Sequence, residues 1–441
     1  MSESLLSVGL DVGTTSTQMI VSRLKIGNKA GSFAVPEMEI ENREILYRSP
    51  IHFTPLLQGD LVDADALRRI VDGEYAAAGI SKTSVDTGAI IITGETSRKE
   101  NARAVLGALS DYAGDFVVAT AGPDLESVLA AKGAGAVDYS AKTGKSVLHM
   151  DIGGGTSNLA LIEDGKIVAT SCLNVGGRLL KIRPDGRLVY VSPVLEHIFT
   201  KNVGEVVTRE EVLELCEKLV QALEGAAGLR EDRTLTQKLQ TAGTVLFPPP
   251  ADAVISFSGG VADCIESQKA WLAFGDIGPE LGYAIGGSRL CRGEYQLGSE
   301  TIRATVIGAG SHSTQLSGST VFYQNVDFPM KNLPVVRSVA ALQTLDGTGV
   351  LALEGLKAPT YVELAELATQ ILKGFDGKIL IVALEQDMAK ALGQILALRL
   401  GQDASILCID RVYLGEESFL DVGVPVGPVL PVVVKTLILN E

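Results

Sequence analysis

The chain writes one short design twice, and that repetition limits its fold more than any other feature. Near the N-terminus "LLSVGLDVGTTSTQMIVSRL" carries an apolar strand into Asp11, Val12, Gly13, Thr14, Thr15 and Ser16, after which a second strand begins. At 148–166, "LHMDIGGGTSNLALIEDGK" runs an apolar strand into Asp151, Ile152, Gly153, Gly154, Gly155 and Thr156, and again restarts as a strand. An Asp-Gly pair then turns the chain back into "IVATSC", as tight hairpins require. A duplicated supersecondary unit implies two like domains. Three successive glycines cost chain entropy, so a use for bare backbone is expected. Amides converging in such a turn suit an anion such as phosphate, and a carboxylate at its mouth suits a hydrated divalent cation. An ordinary glycine-rich hairpin is the plain alternative.

Two further stretches follow in order. "AVISFSGGVADCI" takes a strand into Ser258, Gly259, Gly260 and a helix expected from Val261, where glycines would let backbone approach a flat ligand. "ATVIGAGSHST", 304–314, reads as one more strand followed by small residues, among them Gly308 and Ala309.

The remaining pattern gives strands near 5–10, 16–24 and 43–49, a helix capped by Asp63, a strand "GAIIIT", a helix from about Ser97, a strand "DFVVAT" and a helix after Pro123. A helix at about 208–225 has Glu214, Glu217 and Lys218 on one side, which reads as a solvated face. From 321 onward, strands and helices alternate as a βαβ-like extension, with "TYVELAELATQILKGF" and "EQDMAKALGQILALRL" as its helices.

With 441 residues, of which 46% are hydrophobic, the chain folds as two or three domains. A net charge of −15 argues against nucleic acid as a main partner. No basic leader followed by an apolar stretch opens the sequence, and no run of about 20 apolar residues occurs, so a cytoplasmic protein without a membrane partner is expected. The five cysteines, Cys172, Cys216, Cys264, Cys291 and Cys408, show neither disulfide nor cluster spacing. His149, within a strand, reads as a packed residue.

Taken in order, the four motifs resemble the phosphate-1, phosphate-2, adenosine and second connecting motifs of the actin, Hsp70 and sugar-kinase superfamily. The whole chain resembles the ethanolamine ammonia-lyase reactivating factors, through "GLDVGTTSTQ", "ITGETSRKENA", "HMDIGGGTSNLALIEDG", "VIGAGSHSTQLSGST" and "GPVLPVVVKTLI". The resemblance implies an α/β actin/Hsp70-like ATPase with two ribonuclease-H-like domains, 1–145 and 146–320, around a nucleotide cleft, and a C-terminal α/β extension, 321–441. It implies ATP/ADP and Mg²⁺ as cofactors, with Asp11 and Asp151 on the metal. Gly13, Thr14, Thr15, Ser16, Gly153, Gly154, Gly155 and Thr156 would take the phosphates; Ser258, Gly259, Gly260, Val261, Gly308 and Ala309 would line the nucleoside.

The chaperone branch carries a water-positioning Glu where this chain has Gly122-Pro123; Asp124 or Glu95 is the substitute, and slow hydrolysis is expected. The implied partner is ethanolamine ammonia-lyase, on which damaged cobalamin is exchanged for adenosylcobalamin. The extension is a candidate surface for that partner or for a homodimer, and the implied location extends to the ethanolamine microcompartment. A small-molecule kinase of the same superfamily, or a reactivase for another cobalamin radical enzyme, is the alternative.

Overall fold

The protein is described by a computed structural model in residues 4–13, 16–28, 38–57, 61–92, 117–120, 123–241, 244–298, 300–312, 314–317, 320–345, 347–373, 375, 379–414, 418–425 and 429–436. In the first sheet β1 (Ser4–Val12), β2 (Ser16–Asn28) and β3 (Met38–Arg48) form an antiparallel meander, with β4 (His52–Phe53) beside the start of β2. β5 (Thr87–Ile92) runs parallel to β1 and β6 (Val117–Thr120) parallel to β5. The order is β3-β2-β1-β5-β6. Between β4 and β5, α1 (Ala64–Ala78) starts where the Asp63 carboxylate accepts from the Ala66 amide at 2.9 Å and stops at Gly79 in the left-handed region. Its Leu67, Val71 and Tyr75 pack on Val8, Leu10, Val21, Ile90 and Ile92. The helix expected from Ser97 lies outside the described residues.

The second sheet repeats the plan. After α2 (Pro123–Gly133) and α3 (Ala136–Thr143), β7 (Val147–Ile152), β8 (Ser157–Glu163) and β9 (Lys166–Leu173) form the meander. A small ribbon of β10 (Leu180–Ile182) and β11 (Leu188–Val191) follows, then α4 (Arg209–Ala226) and α5 (Thr234–Leu239). β12 (Val254–Ser258) lies parallel to β7, and β13 (Tyr295–Leu297), beyond α6 (Gly278–Gly286), lies parallel to β12. The order β13-β12-β7-β8-β9 is again third, second, first, fourth, fifth read from the meander edge. Two ribonuclease-H-like units of this order make the actin/Hsp70-like ATPase fold. α4 and α6 bury Val212, Leu215, Leu219, Leu281 and Ile285 against Leu148, Met150 and Ile152.

Residues Ala304–His312, expected as a strand, form a helix, α7. An apolar run rich in small residues fits either element, and its surroundings decide. α7 packs on β1 and β5 of the first sheet, whereas α2 packs on β7, β8 and β9 of the second, so the two helices cross between the domains. Their backbones touch. A Cβ on Gly133 would stand 1.7 Å from the Ala304 carbonyl oxygen, and one on Gly308 would stand 1.9 Å from that of Leu129. Gly9 on β1 meets α7 the same way, with Val306 O 2.7 Å from its Cβ position. Ala309 is buried with Ala89, Ile91 and Leu129. Gly308 and Ala309 therefore serve the crossing, and the nucleoside lining expected of them gives way to packing.

The rest is one eight-stranded mixed sheet: β14 (Thr314–Ser317), β15 (Phe322–Gln324), β16 (Met330–Val336), β17 (Val350–Leu353), β18 (Ile379–Leu384), β19 (Ser405–Ile409), β20 (Ser418–Val422) and β21 (Leu430–Thr436). Its order is β14-β21-β20-β16-β17-β18-β19-β15, and β16 to β19 are mutually parallel. After the short α8 (Val339–Gln343), α9 (Tyr361–Lys373) and α10 (Ala389–Leu400) link parallel neighbours, as βαβ crossovers must. β14 already belongs to this sheet, so the extension begins ahead of residue 321. It is seated on the first domain: Val433 packs with Ala89 and Ile91, and Val429 and Leu316 pack with Leu5, Leu24 and Ile26.

Because the obstructing atom at Gly133 is backbone, Gly133→Ala should destabilise the protein by about 1–3 kcal/mol. A lowered urea midpoint would show it; an unchanged midpoint would mean that the helices cross less closely than this.

Candidate functional site

β1 and β7 are central strands, and each delivers a carboxylate to the end of its sheet before turning. Both turns close with the same bond: the Gly13 amide donates to Ser16 O and the Gly153 amide to Thr156 O, each at 2.9 Å. Those two N–H groups are therefore internal, so Gly13 and Gly153 offer no amide to a phosphate, contrary to expectation. Thr14 and Thr15, like Glu95, lie outside the described residues. None of Gly153, Gly154 and Gly155 takes a positive φ, so conformational freedom is not why glycine stands there.

Crowding is not the reason either: a Cβ on Gly153 or Gly154 would meet nothing nearer than 3.4 Å, and the crowded residue is Gly176, which faces the turn. The segment 174–178, "NVGGR", runs against the turn, with the Gly177 amide donating to Gly153 O at 2.9 Å and the Arg178 amide to Gly154 O at 2.6 Å. A Cβ on Gly176 would come within 2.4 Å of Gly154 O. In a planar trans peptide the C=O of one residue points opposite to the N–H of the next. Tying down the carbonyls of Gly153 and Gly154 therefore turns the Gly154 and Gly155 amides the other way, and beyond Gly155 nothing lies within 4 Å of a Cβ position. Two outward amides beside open space make an anion nest. The Arg178 side chain, held by Asp276 at 3.2 Å, passes 3.4 Å from the Cβ position of Gly154 and puts a cation at the same turn.

Asp151 ends a chain of polar contacts inside the second sheet. Ser258 Oγ donates to Asp151 Oδ1 at 2.5 Å, His149 Nε2 lies 2.9 Å from Ser258 Oγ, and His149 Nδ1 lies 3.1 Å from Ser256 Oγ. Ser258 has one proton and gives it to the carboxylate, so it accepts from His149 Nε2–H, and Nδ1 accepts from Ser256. The ring is fully buried, which pushes its pKa down to about 3 and keeps it neutral. Burial pushes Asp151 up to about 6, against the pull of the Ser258 hydrogen bond. His149 is a packed residue as expected, and it also orients the serine that orients the aspartate.

The two carboxylates have matching neighbours. Asp11 pairs across its hairpin with Gln18, and Asp151 with Asn158. Gln18 Nε2 donates to Ile302 O at 2.9 Å and reaches Asp11 Oδ2 at 3.5 Å. Gln18 Oε1 and Asn158 Oδ1 are buried without a hydrogen-bond partner among the described residues. A buried orphan acceptor calls for a donor from outside the chain. Two of them, each beside a carboxylate, suit the waters of a hydrated cation. Among the described residues no cluster of three His, Cys, Asp or Glu side chains could hold a metal ion directly.

Other expected residues fall as follows. Gly259 (φ +87°) lies so close to β7 that a Cβ would stand 2.3 Å from Ile152 O, and the Val261 amide donates to that oxygen at 3.2 Å. The Ser258 hydroxyl is committed to Asp151, so it is removed from the nucleoside lining; Gly260 and Val261 keep the edge of the turn. In place of a helix from Val261 there is one short 3₁₀ turn, Ala262–Cys264. Asp124 accepts from Thr170 Oγ1 at 2.6 Å, on β9. That edge strand is separated from β7 by β8, about 10 Å at the usual strand spacing, so Asp124 is turned away from Asp151. Glu214, Glu217 and Lys218 form an exposed face, with Lys218 Nζ donating to Ile198 O at 3.0 Å. The cysteines are all free. Among the described residues no helix is long and apolar enough to cross a membrane.

A pKa raised on folding means that the charged form of Asp151 opposes folding: stability is greatest below pH 3.8 and falls as pH rises toward 6. The full loss is about 3 kcal/mol without ligand. Asp151→Asn removes this cost, so at pH 7 the ligand-free variant should be more stable than the parent, with the difference shrinking toward pH 4. Urea midpoints across that window test this, and a constant difference would contradict it.

The ethanolamine utilisation protein EutA family matches residues 3–348 and 340–440. Two curated proteins called ethanolamine ammonia-lyase reactivase EutA, from Salmonella typhimurium and Escherichia coli, are each 40% identical over 98% of this chain and 98% of their own. Among solved structures, ethanolamine utilization protein EutJ from Carboxydothermus hydrogenoformans gives a TM-score of 0.36 at 18% identity, covering 69% of this chain and 89% of its own. An exopolyphosphatase from Cytophaga hutchinsonii gives 0.41 at 10% identity, covering 68% and 96%. The strand order, not these weak likenesses, establishes the fold. With matches running nearly end to end in family and relatives alike, the chain belongs to the ethanolamine utilisation protein EutA family.

Proposed function

We propose that the chain is an ATP-dependent reactivase that loosens inactivated ethanolamine ammonia-lyase, so that damaged cobalamin leaves and intact adenosylcobalamin enters. The 40% identical relatives carry that enzyme in their names. The observation that carries the nucleotide half is the doubled turn: a carboxylate, a closing amide bond and an orphaned side-chain amide oxygen, repeated on two like sheets.

In this proposal Asp11 and Asp151 hold Mg²⁺ through waters that also donate to Gln18 Oε1 and Asn158 Oδ1. The Gly154 and Gly155 amides, Thr156 and Arg178 take phosphate oxygens on one side; Thr14, Thr15 and Ser16 take them on the other. Bound Mg²⁺ would neutralise charge on the polyphosphate. It would also relieve the burial cost that Asp151 carries alone. Gly122-Pro123 stands where the chaperone branch has its acid, and Asp124 is turned to Thr170, which supports slow hydrolysis and a role for nucleotide state over turnover. A shift between domain arrangements from 1:99 to 99:1 needs about 5.5 kcal/mol of differential affinity, and a ligand gripped by both turns can supply it. The same proposal includes a cytoplasmic chaperone, contact with the lyase or a second copy through the extension, and association with the ethanolamine microcompartment.

Ethanolamine ammonia-lyase blocked with cyanocobalamin, then given adenosylcobalamin, Mg²⁺ and ATP, should regain deamination only when this protein is present, and Asp151→Ala should abolish the recovery. Recovery without ATP, or a basal hydrolysis rate of many turnovers per second, would refute the proposed cycle.

A further inference from the structure

Arg178 stands where the segment 174–178 meets the second turn, and its backbone and side chain act there separately. The backbone amide is bonded to Gly154 O. The side-chain stem lies along the same glycine, with Cβ 3.5 Å, Cγ 3.6 Å and Cδ 3.4 Å from the Gly154 Cβ position, so the guanidinium begins at the turn. Its Nε donates to Asp276 Oδ2 at 3.2 Å, and its two terminal nitrogens have no partner among the described residues. The strongest arginine–carboxylate pairs use two parallel N–H bonds. Here one nitrogen is engaged and the rest of the fork is left for another anion, with 28% of the side chain exposed.

Asp276 is the fixed end of the pair. Its side chain is 7% exposed, and its other oxygen, Oδ1, accepts from the Gly278 amide at 2.9 Å. The backbone on either side is bonded too: Gly275 O accepts from the Ile182 amide at 2.8 Å, and the Ile277 amide donates to Gly177 O at 2.9 Å. That last bond joins the segment carrying Asp276 to the residue before Arg178. A carboxylate so placed sets the direction of the guanidinium before any ligand arrives, and a preorganised group loses less freedom on binding. The Val261 amide is bonded to Ile152 O, and from Ile152 the turn runs through Gly153 to the outward amides of Gly154 and Gly155. With a nucleoside at the Gly260–Val261 edge, a phosphate chain that follows the turn ends where Arg178 lies.

We propose that Arg178 donates to the terminal phosphate of bound ATP and that Asp276, which touches no ligand, is its positioning residue, so that this pair distinguishes ATP from ADP. The proposal rests on the nucleotide function above and adds how a triphosphate is told from a diphosphate. A hydrogen bond between charged groups is worth roughly a 10- to 150-fold effect on affinity.

Calorimetric titration of the full chain with ATP and with ADP, each with Mg²⁺, tests this. The parent should bind ATP at least about tenfold more tightly than ADP. Arg178→Met keeps the stem on Gly154 and removes the fork, whereas Asp276→Asn keeps the bond from Gly278 and turns an N–H against Arg178 Nε. Each should bring the ratio toward unity with little change in ADP affinity, and the double variant should lose no more than Arg178→Met does, because Asp276 acts only through Arg178. Removing one member of a part-buried ion pair costs stability, whereas removing both leaves no lone charge, so the double variant gives the answer even where a single one unfolds. Equal binding of ATP and ADP by the parent, a ratio that survives in the double variant, ADP affinity that falls as far as ATP affinity, or an Asp276→Asn loss that adds in full to that of Arg178→Met would overturn the role of the pair and leave the nucleotide site standing. A parent that binds neither nucleotide would overturn both.

Discussion

The arrangement depends on one contact, the crossing of α2 and α7 with no side chain between their backbones at Gly133 and Gly308. Each helix emerges from one domain and lies on the sheet of the other. A side chain at either glycine would push the sheets apart by roughly its own thickness, and the two aspartate turns with them. Interiors at native density cannot absorb such a change without cost. Gly133 and Gly308 thus position the polar groups, and Gly176 lets the segment 174–178 lie against the second turn.

Within that frame the second turn carries an electrostatic debt of its own. Asp151 is buried beside a neutral imidazole and a serine, with no cation among its named partners. The hydrogen-bond chain from Ser256 through His149 and Ser258 points its proton donors toward the carboxylate, each bond strengthening the next in a low-dielectric interior. One hydrogen bond is less than a carboxylate would have in water, which is why burial prevails and the pKa stays high.

Much of this was legible in the sequence, and the failures have physical causes. Period-two apolar runs ending in Asp-x-Gly gave away both hairpins, and the Asp63 cap placed α1, because these signals are local. Ala304–His312 was misjudged because seven consecutive small or apolar residues satisfy strand and helix alike; only the groove over β1 and β5 selects the helix. Gln18 and Asn158 went unnoticed although they occupy the same place in the two repeats, seven residues after Asp11 and Asp151. Extending the comparison of the repeats by two residues would have found them. Gly176, Gly177 and Arg178 carry no motif of their own, and their importance comes from lying against Gly153 and Gly154 in space. Asp276 has no sequence signal at all, since the arginine it holds lies 98 residues away.

The extension changes what the crossing can transmit. It follows α7 in the chain, and its Val429, Val433 and Leu316 share apolar clusters with β1, β2 and β5. The first sheet, α7 and the extension therefore form one packed body, and α2, which lies on the second sheet, joins it through Leu129, buried with Ala89, Ile91, Ala309 and Val433. The surface of the extension is thereby fixed to the sheet that carries Asp11, and its link to the sheet that carries Asp151 runs through the helix crossing.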